Sequence, residues 1–188
     1  MPLNCELTTG FTLDCKDGIG GIKEIFLAEW NYIYNLLTVD AGGEITALTD
    51  AADFFRYQLP TQTGMFEETI NFNRDNGTIY YTQTVTIKMH KLSSIKRAEL
   101  ETAALNRLCV CVRDNNDNLW MCGIEDGMDI STSTASTGTA FGDANGYELS
   151  FVCDSKTRAR RWADSVSDLA PVFIPFDNEP NITVTPAY

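Results

Sequence analysis

The chain has 188 residues, 44% of them hydrophobic and 21% charged, and a formal net charge of -12. That length suffices to bury a proper core in one domain, and no apolar run approaches the roughly 18–20 residues that span a bilayer, so a soluble protein with no membrane partner is expected. The acidic balance opposes tight, sequence-independent binding to phosphate backbones, which rests on Lys and Arg displacing counterions; it does not oppose a surface that DNA must pass without sticking.

The opening MPLNCELTTG has neither a basic start nor an apolar stretch before Cys5, so no secretory or lipoprotein signal is expected and synthesis in the cytoplasm follows. The six cysteines, at 5, 15, 109, 111, 122 and 153, contain no CxxC pair and read as mostly reduced, buried thiols. The sequons at Asn76 and Asn181 are then accidents of composition. Asp17-Gly18 and Gly20-Gly21 form a Gly-rich turn without the spacing of a phosphate loop. From Ile22 to about Leu59 the runs IKEIFLA, EITAL and DFFRYQL, broken by Gly42-Gly43 and Pro60, read as strands.

Between Gly64 and His90, GMFEETINFNRD and TIYYTQTVTIKMH meet at Asn76-Gly77, the preferred pair for a two-residue type I′ hairpin. That turn sets Asp75 opposite Thr78, Phe72 opposite Tyr81, Ile70 opposite Gln83, Glu68 opposite Val85 and Phe66 opposite Ile87, one largely apolar face. The other face carries Glu67, Thr69, Asn71 and Asn73 with Tyr80, Thr82, Thr84 and Thr86: long, polar and uncharged over most of its length. The single histidine, His90, ends the hairpin and reads as a strand-end residue rather than a general base.

SSIKRAELETAALN, Ser93 to Asn106, predicts a Ser-capped helix. RLCVCVRD then pairs with NLWMCGIE around Asn115, Asn116 and Asp117, with Cys109, Cys111, Trp120 and Cys122 on one face and Val110, Val112, Leu119 and Met121 on the other. A hairpin apolar on both faces is expected to be central, covered by the helix on one side and by more sheet or a neighbouring subunit on the other. A symmetric register sets Cys109 near Cys122, and whether these two pair, bind metal or stay buried thiols is left open.

STSTASTGTA, Ser131 to Ala140, reads as a mobile polar loop. In GTAFGDANGYELSFVCD the donors Asp143, Asn145 and Glu148 miss the EF-hand pattern, so Asn145-Gly146 reads as a tight turn and no metal is assigned. KTRARRWADSVSDL predicts a short helix with the stripe Ala159, Trp162, Val166 and Leu169. Its basic cluster, Lys156, Arg158, Arg160 and Arg161, points to an acidic surface on the same or a neighbouring subunit, or to a phosphate backbone. Pro171, Pro175, Pro180 and Pro186 punctuate the end, which reads as an extended arm.

In this order the parts resemble the tail-tube superfamily of bacteriophage structural proteins: the tail tube, tail terminator and tube-like connector ring proteins of tailed phages with Bacteroides-type hosts. The resemblance rests on CKDGIGGIKEIFLAE, the long hairpin alternating Thr and Asn with apolar residues, the helix, LCVCVRDNNDNLWMCGIEDG and STGTAFGDANGYELSFVCD, and covers Cys15 to about Asp154. It implies a mainly β (α+β) fold, a β-sandwich or split barrel with a flanking helix. Residues 1–154 would form the tail-tube-like domain, with 64–90 as a projecting hairpin, and 155–188 a short helix and Pro-rich arm. Hairpins from several subunits would join into one barrel conducting double-stranded DNA.

The expected function is therefore a non-enzymatic virion protein, without cofactors or metal, that assembles with itself into a ring at the tail or neck of a phage. Six-fold symmetry is expected, with a dodecamer as the alternative, and other tail, neck or portal proteins as neighbours. Channel-lining residues would be Glu67, Thr69, Asn71, Asn73, Tyr80, Thr82, Thr84 and Thr86. Subunit contacts would come from Val110, Val112, Leu119, Met121, Trp162, Val172, Phe173 and Phe176. The basic cluster and the Pro-rich tail depart from a plain tube subunit, which leaves tube, terminator and connector roles open. A monomeric β-sandwich binding module, for a host surface or a carbohydrate, is the competing reading.

Overall fold

A computed structural model describes residues 10–11, 13, 16–49, 52–163 and 182–185. Among these the chain is mainly β, with two large sheets, a small hairpin, two short helices and no closed barrel. The apolar runs Ile25–Ala28 and Leu108–Val112 mark β1 (Ile22–Glu29) and β7 (Leu108–Asp114) as strands buried on both faces. They lie side by side in a six-stranded sheet, completed by β4 (Ala52–Gln58), β8 (Leu119–Cys122), β11 (Arg160–Arg161) and β12 (Ile182–Thr185), in the order β11-β8-β7-β1-β4-β12.

Two cores follow from the two faces of that sheet. Ile25, Leu27, Val110, Val112 and Cys122 face a second sheet, made of β5 (Gly64–Asn73), β6 (Thr78–His90), β9 (Asp129–Ser136) and β10 (Gly146–Ser155) in the order β5-β6-β10-β9. From it Val85, Ile87, Met89, Tyr147, Leu149, Phe151 and Cys153 enter the same core. The helix α2 (Ser94–Ala103) adds Leu100 and Ala103; Ser93 caps it by accepting the Lys96 N–H at 3.4 Å. On the opposite face Phe26, Ala28, Phe54, Cys109, Cys111 and Met121 are covered by α1 (Trp30–Ile33), by the hairpin of β2 (Leu37–Val39) and β3 (Ile45–Leu48), and by Trp162.

Several expectations change. The long hairpin closes through four residues, 74–77, rather than two, so Asn73 faces Thr78 and Phe72 faces Ile79. The reason is local: the Asn73 side-chain oxygen accepts the N–H groups of Asp75 and Asn76, and Gly77 takes the left-handed conformation (φ 64°) that returns the chain. A shift of two leaves each face with its expected residues. The central hairpin shifts by an odd number instead. Its three-residue turn, with Asp117 at φ 66°, pairs Val110 with Cys122 and Cys111 with Met121. Cys109 and Cys122 therefore lie on opposite faces, in different cores, and neither pair with each other nor share a metal.

The stretch 131–136, expected as a loop, is the edge strand β9, held along β10 from Gly146 to Val152. Gly146 is a strand residue, not half of a turn: a Cβ there would lie 1.9 Å from the Met89 carbonyl oxygen. The helix expected from Lys156 is extended as far as Ala163, and Val166 and Leu169 lie outside the described residues. Trp162 N–H donates to the Leu119 carbonyl and Ala163 N–H to that of Ile45, so nonlocal backbone partners replace the helical ladder. Ala159 and Trp162, expected on one stripe, enter different cores. β10 continues through Ser155, and β11 joins β8.

Candidate functional site

Successive residues of a strand point to opposite sides of a sheet, so the residues between the core-facing ones of the four-stranded sheet form its outer face. Glu67 pairs with Thr84, Thr69 with Thr82, Asn71 with Tyr80 and Asn73 with Thr78, and Met65 with Thr86, which places all eight expected channel-lining residues on this one face. The sequence reading missed its other half. Thr82, Thr84, Thr86 and Lys88 face Asp154, Val152, Ser150 and Glu148 on β10, and beyond them lie Thr132 and Thr134 on β9. The alternation of GYELSFVCDS held that signal; the pairing of β10 with β6, distant in sequence, did not show in it.

The face is tied together sideways. Asn71 Nδ2 donates to Thr82 Oγ1 at 2.7 Å, whose hydroxyl donates to Asp154 Oδ1 at 2.6 Å. Thr86 Oγ1 lies 3.4 Å from Ser150 Oγ, and Lys88 Nζ lies 3.3 Å from Glu148. Glu67 and Asp154 are left in excess over the one paired lysine, so the surface is polar and mildly acidic. It is edged by β5 on one side and β9 on the other, and neither outer edge carries a strand partner among the described residues.

At one end the hairpin continues past the body. Ile70, Phe72 and Ile79 lie on the apolar side of β5 and β6 yet are 52%, 67% and 59% exposed. The body ends where Arg158 stacks 5.2 Å over the Tyr81 ring and faces Glu68 at 3.5 Å, while Glu68 Oε2 accepts the Ala159 N–H at 2.7 Å. The basic cluster finds acidic and carbonyl partners within its own chain: Arg158 on Glu68, Arg161 on Glu44 at 3.6 Å, and Arg160 on the Gly43 carbonyl at 3.0 Å. Glu125 anchors the same segment through the Lys156 N–H and the Ser155 and Thr157 hydroxyls. Burial raises the Glu125 pKa, but these three hydrogen bonds outweigh it and hold the carboxyl below its ordinary range.

The expected subunit contacts are corrected. Val110, Val112, Leu119, Met121 and Trp162 are all buried inside the chain, in the two cores that the second sheet and the β2–β3 hairpin close, and offer no surface to a neighbour. Val172, Phe173 and Phe176 lie outside the described residues. Cys109, Cys111, Cys122 and Cys153 are free and buried. Burial pushes the thiols of Cys109 and Cys153 up to about 12 and raises the other two as well, so all four are protonated and unreactive at neutral pH.

Among the described residues no three His, Cys, Asp or Glu side chains gather in a way that could hold a metal ion. The Asp143 carboxylate accepts the N–H groups of Ala140 and Thr139, each at 2.7 Å, which keeps its pKa low and uses it as a turn. No helix among the described residues is long and apolar enough to cross a membrane. No protein-family model matches the sequence, and a search of curated proteins gives no match either.

Proposed function

We propose that this is a non-enzymatic virion protein of the tail-tube kind, which assembles with copies of itself into a ring, six-fold or twelve-fold, at a phage tail or neck and lines a passage for double-stranded DNA. One observation carries the reading: a polar, mildly acidic sheet face extends past the body on a hairpin whose reverse side exposes Ile70, Phe72 and Ile79. An overhang polar on one side and apolar on the other is stable only if something covers the apolar side. A neighbouring copy's body does so in a ring and turns the polar side inward. The unpaired edges of β5 and β9 would then meet from copy to copy, which removes two exposed strand edges. Threonine, serine and asparagine offer DNA no counterion-releasing contacts, and the acidic excess repels phosphate, so duplex slides past.

A monomeric binding module of the same sandwich would leave that apolar overhang in water. The test is to remove Ile70–Tyr81 and bridge Thr69 to Thr82 with a Gly-rich turn. The proposal predicts a folded monomer by circular dichroism and light scattering, because the deleted residues lie outside the buried cores. Survival of the wild-type assembly in this variant would contradict the assignment of the hairpin.

A further inference from the structure

β12 is held to the body by one ladder, its parallel pairing with Ala52, Asp53, Phe54 and Phe55 at the edge of the six-stranded sheet. Pro180 precedes it by two residues and Pro186 follows it directly. Neither proline has a backbone N–H to donate to a ladder. Everything β12 offers β4 through the backbone is offered equally by the same strand of another copy. Phe55, the last β4 residue in this ladder, is 41% exposed.

Reach decides whether another copy is accessible. Ala163 is fixed to the body by its N–H on the Ile45 carbonyl, and residues 164–181 separate it from Ile182. A stretch of that length spans up to about 60 Å when extended, whereas a folded chain of this size has a radius of gyration of about 16 Å. That upper bound on length puts β4 of an adjacent subunit within reach as well as the chain's own. Once copies are held side by side, the neighbour's edge is present at an effective concentration comparable to the intramolecular one.

We propose that β12 is exchanged between subunits: residues 182–185 of each copy add in parallel to the β4 edge of the next. Donor strand and acceptor edge are different surfaces, so a strand passed from each copy to the next is a heterologous contact, which gives a ring where its rotation closes and an open filament where it does not. The exchange rests on the self-assembly reading above and adds to it a strand-for-strand link that does not use the hairpin.

The test places a cysteine at each member of the Cα pair Asp53 and Thr183, adjacent-strand positions within disulfide range. The background carries Cys5→Ser and Cys15→Ser, and the four buried thiols stay unreactive. Assembled Asp53→Cys/Thr183→Cys protein, oxidised and run without reductant, is expected to give a ladder of covalent multimers. A mixture of the two single variants should give a covalent heterodimer on a denaturing gel. A lone monomer band with both new thiols consumed means the strand stays in its own chain, and persistent free thiols mean the pairing forms in neither arrangement; either overturns the exchange. The two readings fail separately. Rings with an intrachain bond leave the ring standing and remove the exchange, while covalent multimers that show no ring by electron microscopy do the reverse.

Discussion

Glu24 and Arg113 are nearly fully buried next to each other on β1 and β7, with Arg113 Nη1 at 2.8 Å from one carboxylate oxygen and Arg56 at 2.8 Å from the other. Arg113 also reaches Asp117, which Lys23 holds at 2.6 Å. Removing the carboxylate strands a buried guanidinium, which typically costs about 3–5 kcal/mol. Because Asp117 remains as a partner, Glu24→Leu is expected near the lower end, about 3 kcal/mol by urea unfolding; a loss below about 1 kcal/mol would mean the cluster is open to water. Glu125 makes a prediction in pH. Its folded pKa lies below the ordinary 4.5, so its contribution is fully present above that value and is lost as pH falls through the lower folded one. Glu125→Gln should flatten the decline of unfolding free energy below pH 4.5. An unchanged acid slope would show that its three hydrogen bonds do not form in solution.

At the scale of elements, the overhanging hairpin yields the most direct prediction. Ile70, Phe72 and Ile79 are exposed in the isolated chain, so replacing all three by Ser should leave monomer stability within about 0.5 kcal/mol per site. Assembly should weaken by at least tenfold, read as the concentration at which multimers dissociate in sedimentation; unchanged dissociation would mean no neighbour covers this face. The two faces of the hairpin were legible because a period of two survives a register shift of two. Its register was not, since it depends on how Asn73 accepts two backbone N–H groups at the tip. In the central hairpin an odd loop length exchanged the partners of Cys109 and Cys122, which alternation alone cannot detect. β9 was invisible because its strand carries one buried-type residue, Ile130, and draws its order from pairing with β10. Trp162 misled for a related reason: its spacing fits a helix, but the backbone partners that decide its conformation, Leu119 and Ile45, are far away in sequence.

For the whole molecule, two cores explain why the expected interface was not there. A sheet apolar on both faces needs two covers, and the β2–β3 hairpin, α1 and Trp162 supply the second from within the chain. In the proposed ring the apolar overhang of Ile70, Phe72 and Ile79 would meet a neighbour, and the polar outer face of the four-stranded sheet would line the channel. The measurement that tests this most directly is the mass of the purified protein in solution together with its negative-stain image. The account predicts a closed ring, six or twelve times the 20.9 kDa chain mass, around a hole wide enough for duplex DNA. A compact particle that remains at the single-chain mass when concentrated would contradict it.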